Sequence, residues 1–163
     1  MGFGFPAAIG AKIGRPEADV VCITGDGGMQ MNMQELATAV VEKVKLTVCI
    51  LNNGYLGMVK QMQQLFYGKR YKITCLKRNI DCPDECKGPG PQCPEYLPDF
   101  VKWAESYGAL GLRVTDPTQI VDALREAKAN DKTTIIEFII ASDELVLPMV
   151  KGGDAMSEMI LSR

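Results

Sequence analysis

Apolar residues fall into two kinds of run along the chain. Residues 20–24 (VVCIT), 46–51 (LTVCIL), 110–114 (LGLRV) and 133–140 (TTIIEFII) are short and rich in β-branched side chains, and each predicts a strand. The first is apolar and β-branched throughout, which predicts a strand buried on both faces. Elsewhere the apolar positions are spaced out. Residues 6–13 (PAAIGAKI) predict a short helix broken by Gly14-Arg15-Pro16. In residues 32–43, Leu36, Ala37, Val40 and Val41 recur near helical spacing, with Glu35 and Glu42 left outside. Helices are also predicted over residues 58–66, over 99–107 with Asp99 as N-cap, and from Asp116 or Thr118 to 129. Residues 25–28 predict a tight turn and 52–57 a loop.

Strands alternating with helices predict an α/β fold, a three-layer parallel sheet with helices on both faces. Ligands of such sheets bind beyond the carboxyl ends of the strands. Asp26 and Asn53 fall there, just past the first and second predicted strands. Residues 68–98 interrupt the pattern with four Cys, five Pro and no apolar periodicity.

Composition narrows the function. A chain of 163 residues with 47% hydrophobic content predicts one domain with an ordinary core. Its 18 basic and 20 acidic residues give no support to a nucleic-acid or membrane-surface partner. The N-terminal MGFGFPAAIG lacks the basic region of a signal peptide, so a soluble cytoplasmic protein is expected. Histidine is absent. Any proton chemistry therefore belongs to a cofactor, to carboxylates or to another piece of protein.

The chemistry concentrates in GDGG (25–28) and NN (52–53), with 24 residues between Gly-Asp-Gly and Asn-Asn. Gly25, Gly27 and Gly28 leave room for a ligand to approach the backbone. A carboxylate and an amide oxygen suit a hard cation such as Mg²⁺, which takes few protein ligands and completes its shell with phosphate oxygens. A second carboxylate would repel a diphosphate, whereas an amide oxygen coordinates without adding charge. The pair therefore asks for a metal-bridged diphosphate, and its spacing matches the thiamine-diphosphate signature. The bland alternative is two capping turns in an α/β domain.

Several further segments carry the same likeness. MGFGFPAAIGAKIG, GDGGMQMNMQELATAV, LNNGYLGMVKQMQQLFYGKRY, PDFVKWAESYGALGLRV and LVLPMVKGG each resemble the matching segment of acetolactate synthase (acetohydroxyacid synthase) catalytic subunits. Outside residues 72–97 the likeness covers nearly the whole of residues 1–163, and it falls in that family's C-terminal thiamine-diphosphate-binding domain, here expected to be truncated at its N-terminus. It implies that Asp26 and Asn53 are side-chain ligands of Mg²⁺ and that the carbonyl of Tyr55 is a main-chain ligand. It implies that Gly25, Gly27, Gly28, Leu56, Gly57 and Met58 lie against the cofactor, and that Met1 supports the thiazolium. For Met1 and Met58 the alternative is plain core packing. Met62 matches a position where the family usually carries tryptophan, in the pocket for the second substrate. The resemblance places the activating glutamate on the pyrimidine-binding domain of a second catalytic subunit, so no catalytic residue is assigned in this stretch, and alone it is expected to be inactive. FAD in the full-length enzyme and a regulatory small subunit are implied as well.

Residues 72–97 depart from the family. Cys75, Cys82, Cys86 and Cys93 lack a Cys-x2-Cys knuckle, and a second metal, two disulfides and free thiols all stay open. The function expected is thiamine-diphosphate-dependent decarboxylation of pyruvate and condensation with a second 2-oxo acid, in branched-chain amino acid biosynthesis. The rivals are a glyoxylate carboligase, a pyruvate oxidase, and a non-catalytic metal- or redox-responsive module built on the four cysteines.

Overall fold

The computed structural model describes residues 1–83, 93–96 and 98–162. In chain order the elements are α1 (Gly4–Gly14), β1 (Val21–Gly25), α2 (Asp26–Met29), α3 (Glu35–Val41), β2 (Thr47–Asn52), α4 (Gly57–Phe66), α5 (Phe100–Ser106), β3 (Leu110–Val114), α6 (Ile120–Ala129) and β4 (Thr134–Ile139). The four strands form one parallel sheet in the order β1-β2-β4-β3. The fold is therefore α/β with a parallel sheet, as the alternation of runs predicts.

One face of the sheet is closed. Cys22, Val48, Ile50 and Ile135 meet Phe5, Ala8 and Ile9 of α1, Leu36 and Ala39 of α3, and Phe100 and Ala104 of α5 in a continuous core. Phe100 is fully buried and meets the Trp103 ring edge-on, at a centroid distance of 6.3 Å. The N-terminus of α5 is fixed by Asp99, whose side chain accepts from the N–H groups of Val101 and Lys102 at 3.1 and 3.2 Å. This satisfies two of the donors a helix start leaves open.

The other face is half open. α6 covers β3 and β4 there through Ala127, Val114 and Ile136. β1 carries Val21 at 54% and Ile23 at 71% exposure, so it is buried on one face only. The apolar run predicts both faces buried; among the described residues the outer face of β1 is instead largely open. α3 also differs from the pattern. Its buried side chains are Leu36 and Ala39, while Ala37 and Val41 are exposed. The element is shorter than predicted, because residues 30–34 form turns between α2 and α3, and the short helix meets the core through an i, i+3 pair.

Candidate cofactor site at the strand ends

β1 and β2 run side by side with Gly25 opposite Leu51, so the residues that follow them emerge together. Asp26 opens the single turn of α2 and is 2% exposed. Its Oδ2 accepts the N–H of Gly54 at 3.0 Å, and the same N–H reaches Oδ1 of Asn52 at 3.0 Å. Gly54 makes this shared contact with φ at 71°, a backbone conformation that costs glycine little. Burial pushes the Asp26 carboxyl above its ordinary range, while the N–H of Gly27, the Tyr96 hydroxyl and the N–H of Gly54 pull it back. A buried carboxylate whose charge is disfavoured in this way suits a cation beside it.

The two asparagines divide. Asn52 points into the sheet, where its Nδ2 donates to Oε1 of Glu137 at 2.7 Å. Asn53 lies past the strand end, and its Oδ1 accepts the N–H of Tyr55 at 2.9 Å. The loop that follows is pinned by a short antiparallel bridge, Tyr55 opposite Cys75. The N–H of Leu56 donates to Thr74 O and the N–H of Leu76 to Gly54 O, both at 2.8 Å. These bonds flank Tyr55, so its own carbonyl is turned away from Cys75. Asp26, Asn53 and Tyr55 thus offer a carboxylate, an amide oxygen and a peptide oxygen at one sheet edge, a donor set that fits Mg²⁺.

Gly27 is closely packed by side chains of the chain itself. A Cβ there would lie 2.8 Å from Leu56 Cδ2 and 3.7 Å from Met1 Cε, so Met1, Gly27 and Leu56 come together. At Gly57 a Cβ would meet Asn53 Nδ2 at 2.9 Å. Gly25 holds an extended conformation before α2, and a Cβ on Gly28 would meet Thr24 Oγ1 at 3.1 Å. Met58 and Met62 are both exposed on α4, one turn apart.

Other residues of the site escape the sequence pattern. A cleft of about 700 Å³ opens beside Asn53, lined among others by Tyr55, Tyr96, Asp99, Arg113 and Glu137. Glu137 is 3% exposed and is held by Arg113, whose Nε donates to Oε2 at 2.6 Å. Arg113 also donates from Nη2 to Asp99 Oδ1 at 2.7 Å. Lys60 of α4 is buried, lies 4.0 Å from the centre of the Tyr55 ring, and donates to the carbonyl of Ser142. Glu137 and Arg113 were visible as lone charges inside apolar strands. Lys60 carried no signal beyond its place on a helix.

Among the cysteines, Cys75 and Cys82 are half-buried free thiols, and Cys86 lies outside the described residues. No group of three or more Cys, His, Asp or Glu placed to hold a metal occurs among the described residues. Neither a second metal nor a disulfide therefore gains support there. No helix among the described residues is long and apolar enough to cross a membrane.

A parallel sheet thus carries a buried aspartate after one strand and an asparagine after the next, in an α/β domain. Residues 1–138 match the family model "Thiamine pyrophosphate enzyme, C-terminal TPP binding domain", and the chain belongs to that family. It is 46% identical over its whole length to an acetolactate synthase of Mycobacterium avium, of which it spans 24%. It is 42% identical to the acetolactate synthase large subunit of Haemophilus influenzae, again over the whole chain and over 26% of that protein. Among solved structures, the thiamine diphosphate-dependent 4-hydroxybenzoylformate decarboxylase of Rhodococcus jostii RHA1 superposes with a TM-score of 0.68 at 29% identity, covering 89% of this chain and 24% of that one. The chain thus spans about a quarter of the length of these relatives.

Proposed function

We propose that the chain forms the diphosphate- and Mg²⁺-binding part of an acetolactate synthase. The observation that carries this reading is the likeness to acetolactate synthases across the whole chain, at 39–46% identity in the bacterial relatives of Mycobacterium, Haemophilus and Escherichia coli. The enzyme would decarboxylate pyruvate and join the two-carbon unit to a second 2-oxo acid, in cytoplasmic branched-chain amino acid biosynthesis.

In this reading Asp26, Asn53 and the Tyr55 carbonyl hold Mg²⁺, and the metal neutralises the diphosphate. Gly27 and Gly28 admit the diphosphate close to the backbone. Met1, Leu56 and Met58 provide an apolar wall for the thiazolium end. Thiamine diphosphate, when bound, supplies the acidic thiazolium carbon and its own aminopyrimidine base, so this chain needs no histidine for the proton transfer. The pyrimidine half would rest on the pyrimidine-binding domain of a second catalytic subunit, and FAD on a domain outside this chain. Several relatives are named large subunits, which supports a smaller regulatory partner. Met62, one turn beyond Met58, would border the second substrate and, being thinner than tryptophan, grip 2-oxobutyrate less firmly. One methylene in a pocket is worth ~1–3 kcal/mol of discrimination.

The test is an assay of the full-length protein with pyruvate, thiamine diphosphate and Mg²⁺. Acetolactate is the expected product, and none is expected from the 163-residue chain alone. Release of free aldehyde as the sole product would replace this reading with a simple decarboxylase. Supplying pyruvate and 2-oxobutyrate together, and repeating with Met62→Trp, examines the pocket: the tryptophan variant should shift the product ratio toward the 2-oxobutyrate adduct, and an unchanged ratio removes Met62 from that role.

A further inference from the structure

The segment that departs most from the family touches the candidate metal site at two separated points. At its start, Thr74 and Leu76 exchange backbone hydrogen bonds with Leu56 and Gly54, on either side of Tyr55. Near its end, three residues after Cys93, Tyr96 lies in the same place, lining the cleft beside Asn53 and Tyr55. Its hydroxyl donates to the Asp26 carboxylate. The same oxygen accepts from Gln30 Nε2 at 2.6 Å. Its ring lies 5.8 Å from that of Phe100, and a Cβ on Gly54 would come within 3.9 Å of it. Tyr96 is therefore held by a ring contact at one end and by a directed hydrogen bond at the other.

The hydrogen bonds have one consistent direction. Gln30 is a donor to the phenol oxygen, which leaves the phenol proton for Asp26. Gly54 N–H occupies Oδ2 of the same carboxylate. Two donors from two different loops thus join the Gly27 N–H of the carboxylate's own single-turn helix in orienting it. Groups that orient a ligand in this way typically change metal affinity 10–100-fold when removed.

We propose that Tyr96, aimed by Gln30, is a positioning residue for Asp26 and thereby helps set the geometry of the Mg²⁺ site. The inference rests on the reading of Asp26 as a metal ligand. It assigns a function to part of a segment that the family pattern leaves without one.

The experiment measures Mg²⁺ affinity, by titrating the metal into full-length protein at saturating thiamine diphosphate. The variants are Tyr96→Phe, Gln30→Met and both together. Tyr96→Phe keeps the ring contact with Phe100 and removes only the hydroxyl. It should weaken Mg²⁺ binding about tenfold or more, with the metal-free melting temperature unchanged. Gln30→Met should weaken binding less, and the double variant should be no worse than Tyr96→Phe, because both act through one hydrogen bond. A merely structural role would lower the melting temperature and give additive losses, which would overturn the proposal. Unchanged or tighter Mg²⁺ binding in Tyr96→Phe would overturn it as well, the latter by showing that the hydroxyl competes with the metal. If Tyr96→Phe does not fold, Gln30→Met decides on the same affinity scale, and an unchanged value there counts against the proposal. Absence of Mg²⁺-dependent binding in the unaltered protein would instead sink the metal-site reading itself.

Discussion

Asn52 and Asn53 are adjacent in sequence and differ in what they hold. Asn52 is buried and joins two strands through Glu137 and the loop through Gly54. Replacing it with alanine leaves a buried carboxylate short of a donor, which costs about 1–3 kcal/mol. Asn53 spends its oxygen on the Tyr55 N–H at the open edge of the sheet. Asn53→Ala should therefore leave the melting temperature close to that of the parent protein while weakening Mg²⁺ binding. Asn52→Ala should show the reverse order of effects: a clear loss of stability, and a smaller change in metal affinity. Thermal unfolding and metal titration of the two variants compare these outcomes directly. Equal effects on both quantities would mean that the pair acts as one unit. At this scale the sequence was informative about chemistry and blind to partition. The spacing marked both amides, but only the side-chain directions separate the one that faces the loop edge from the one that faces Glu137.

Helix α5 and strands β3 and β4 are tied by charge as well as by packing. Asp99 caps α5 and also receives the Arg113 guanidinium, which in turn holds the buried Glu137. For Asp99, burial pushes the carboxyl up, but the N–H of Lys102 and the Arg113 guanidinium outweigh it and hold the group below its ordinary range. A carboxylate with a depressed pKa stabilises the fold above its unfolded value of 3.8 and loses that contribution as the pH falls through the lower, folded value. Asp99→Ala should thus destabilise the protein by about 1–2 kcal/mol at neutral pH through the lost cap and ion pair. The difference from the parent should shrink below pH 3.8. Denaturant unfolding across that range would check it, and a pH-independent difference would show that the cap acts only through packing. The cap itself was legible, because an aspartate after Pro98 before an apolar helix is a local signal. The tie to Arg113 was not, since it depends on the strand order that puts β3 beside β4. The same non-local order explains why the run in β1 misled. An apolar strand can be a core strand or an edge strand, and β1 is an edge among the described residues.

For the whole molecule, the arrangement of strands and loops brings Asp26, Asn53 and the Gly27-Gly28 turn together at the carboxyl edge of the sheet, and leaves part of one face apolar and open. Val21 and Ile23 on that face would be costly to leave in water, at roughly 25 cal/mol per Å² of apolar surface. The central claim, that Asp26 anchors Mg²⁺ and through it the diphosphate, is tested most directly by calorimetric titration of thiamine diphosphate into full-length protein with and without Mg²⁺. For the parent protein, binding should be tight with Mg²⁺ and weak without it. For Asp26→Ala, the difference between the two titrations should vanish, with both at the weak level. An Asp26→Ala variant that still bound the cofactor tightly, and only in the presence of Mg²⁺, would contradict the account.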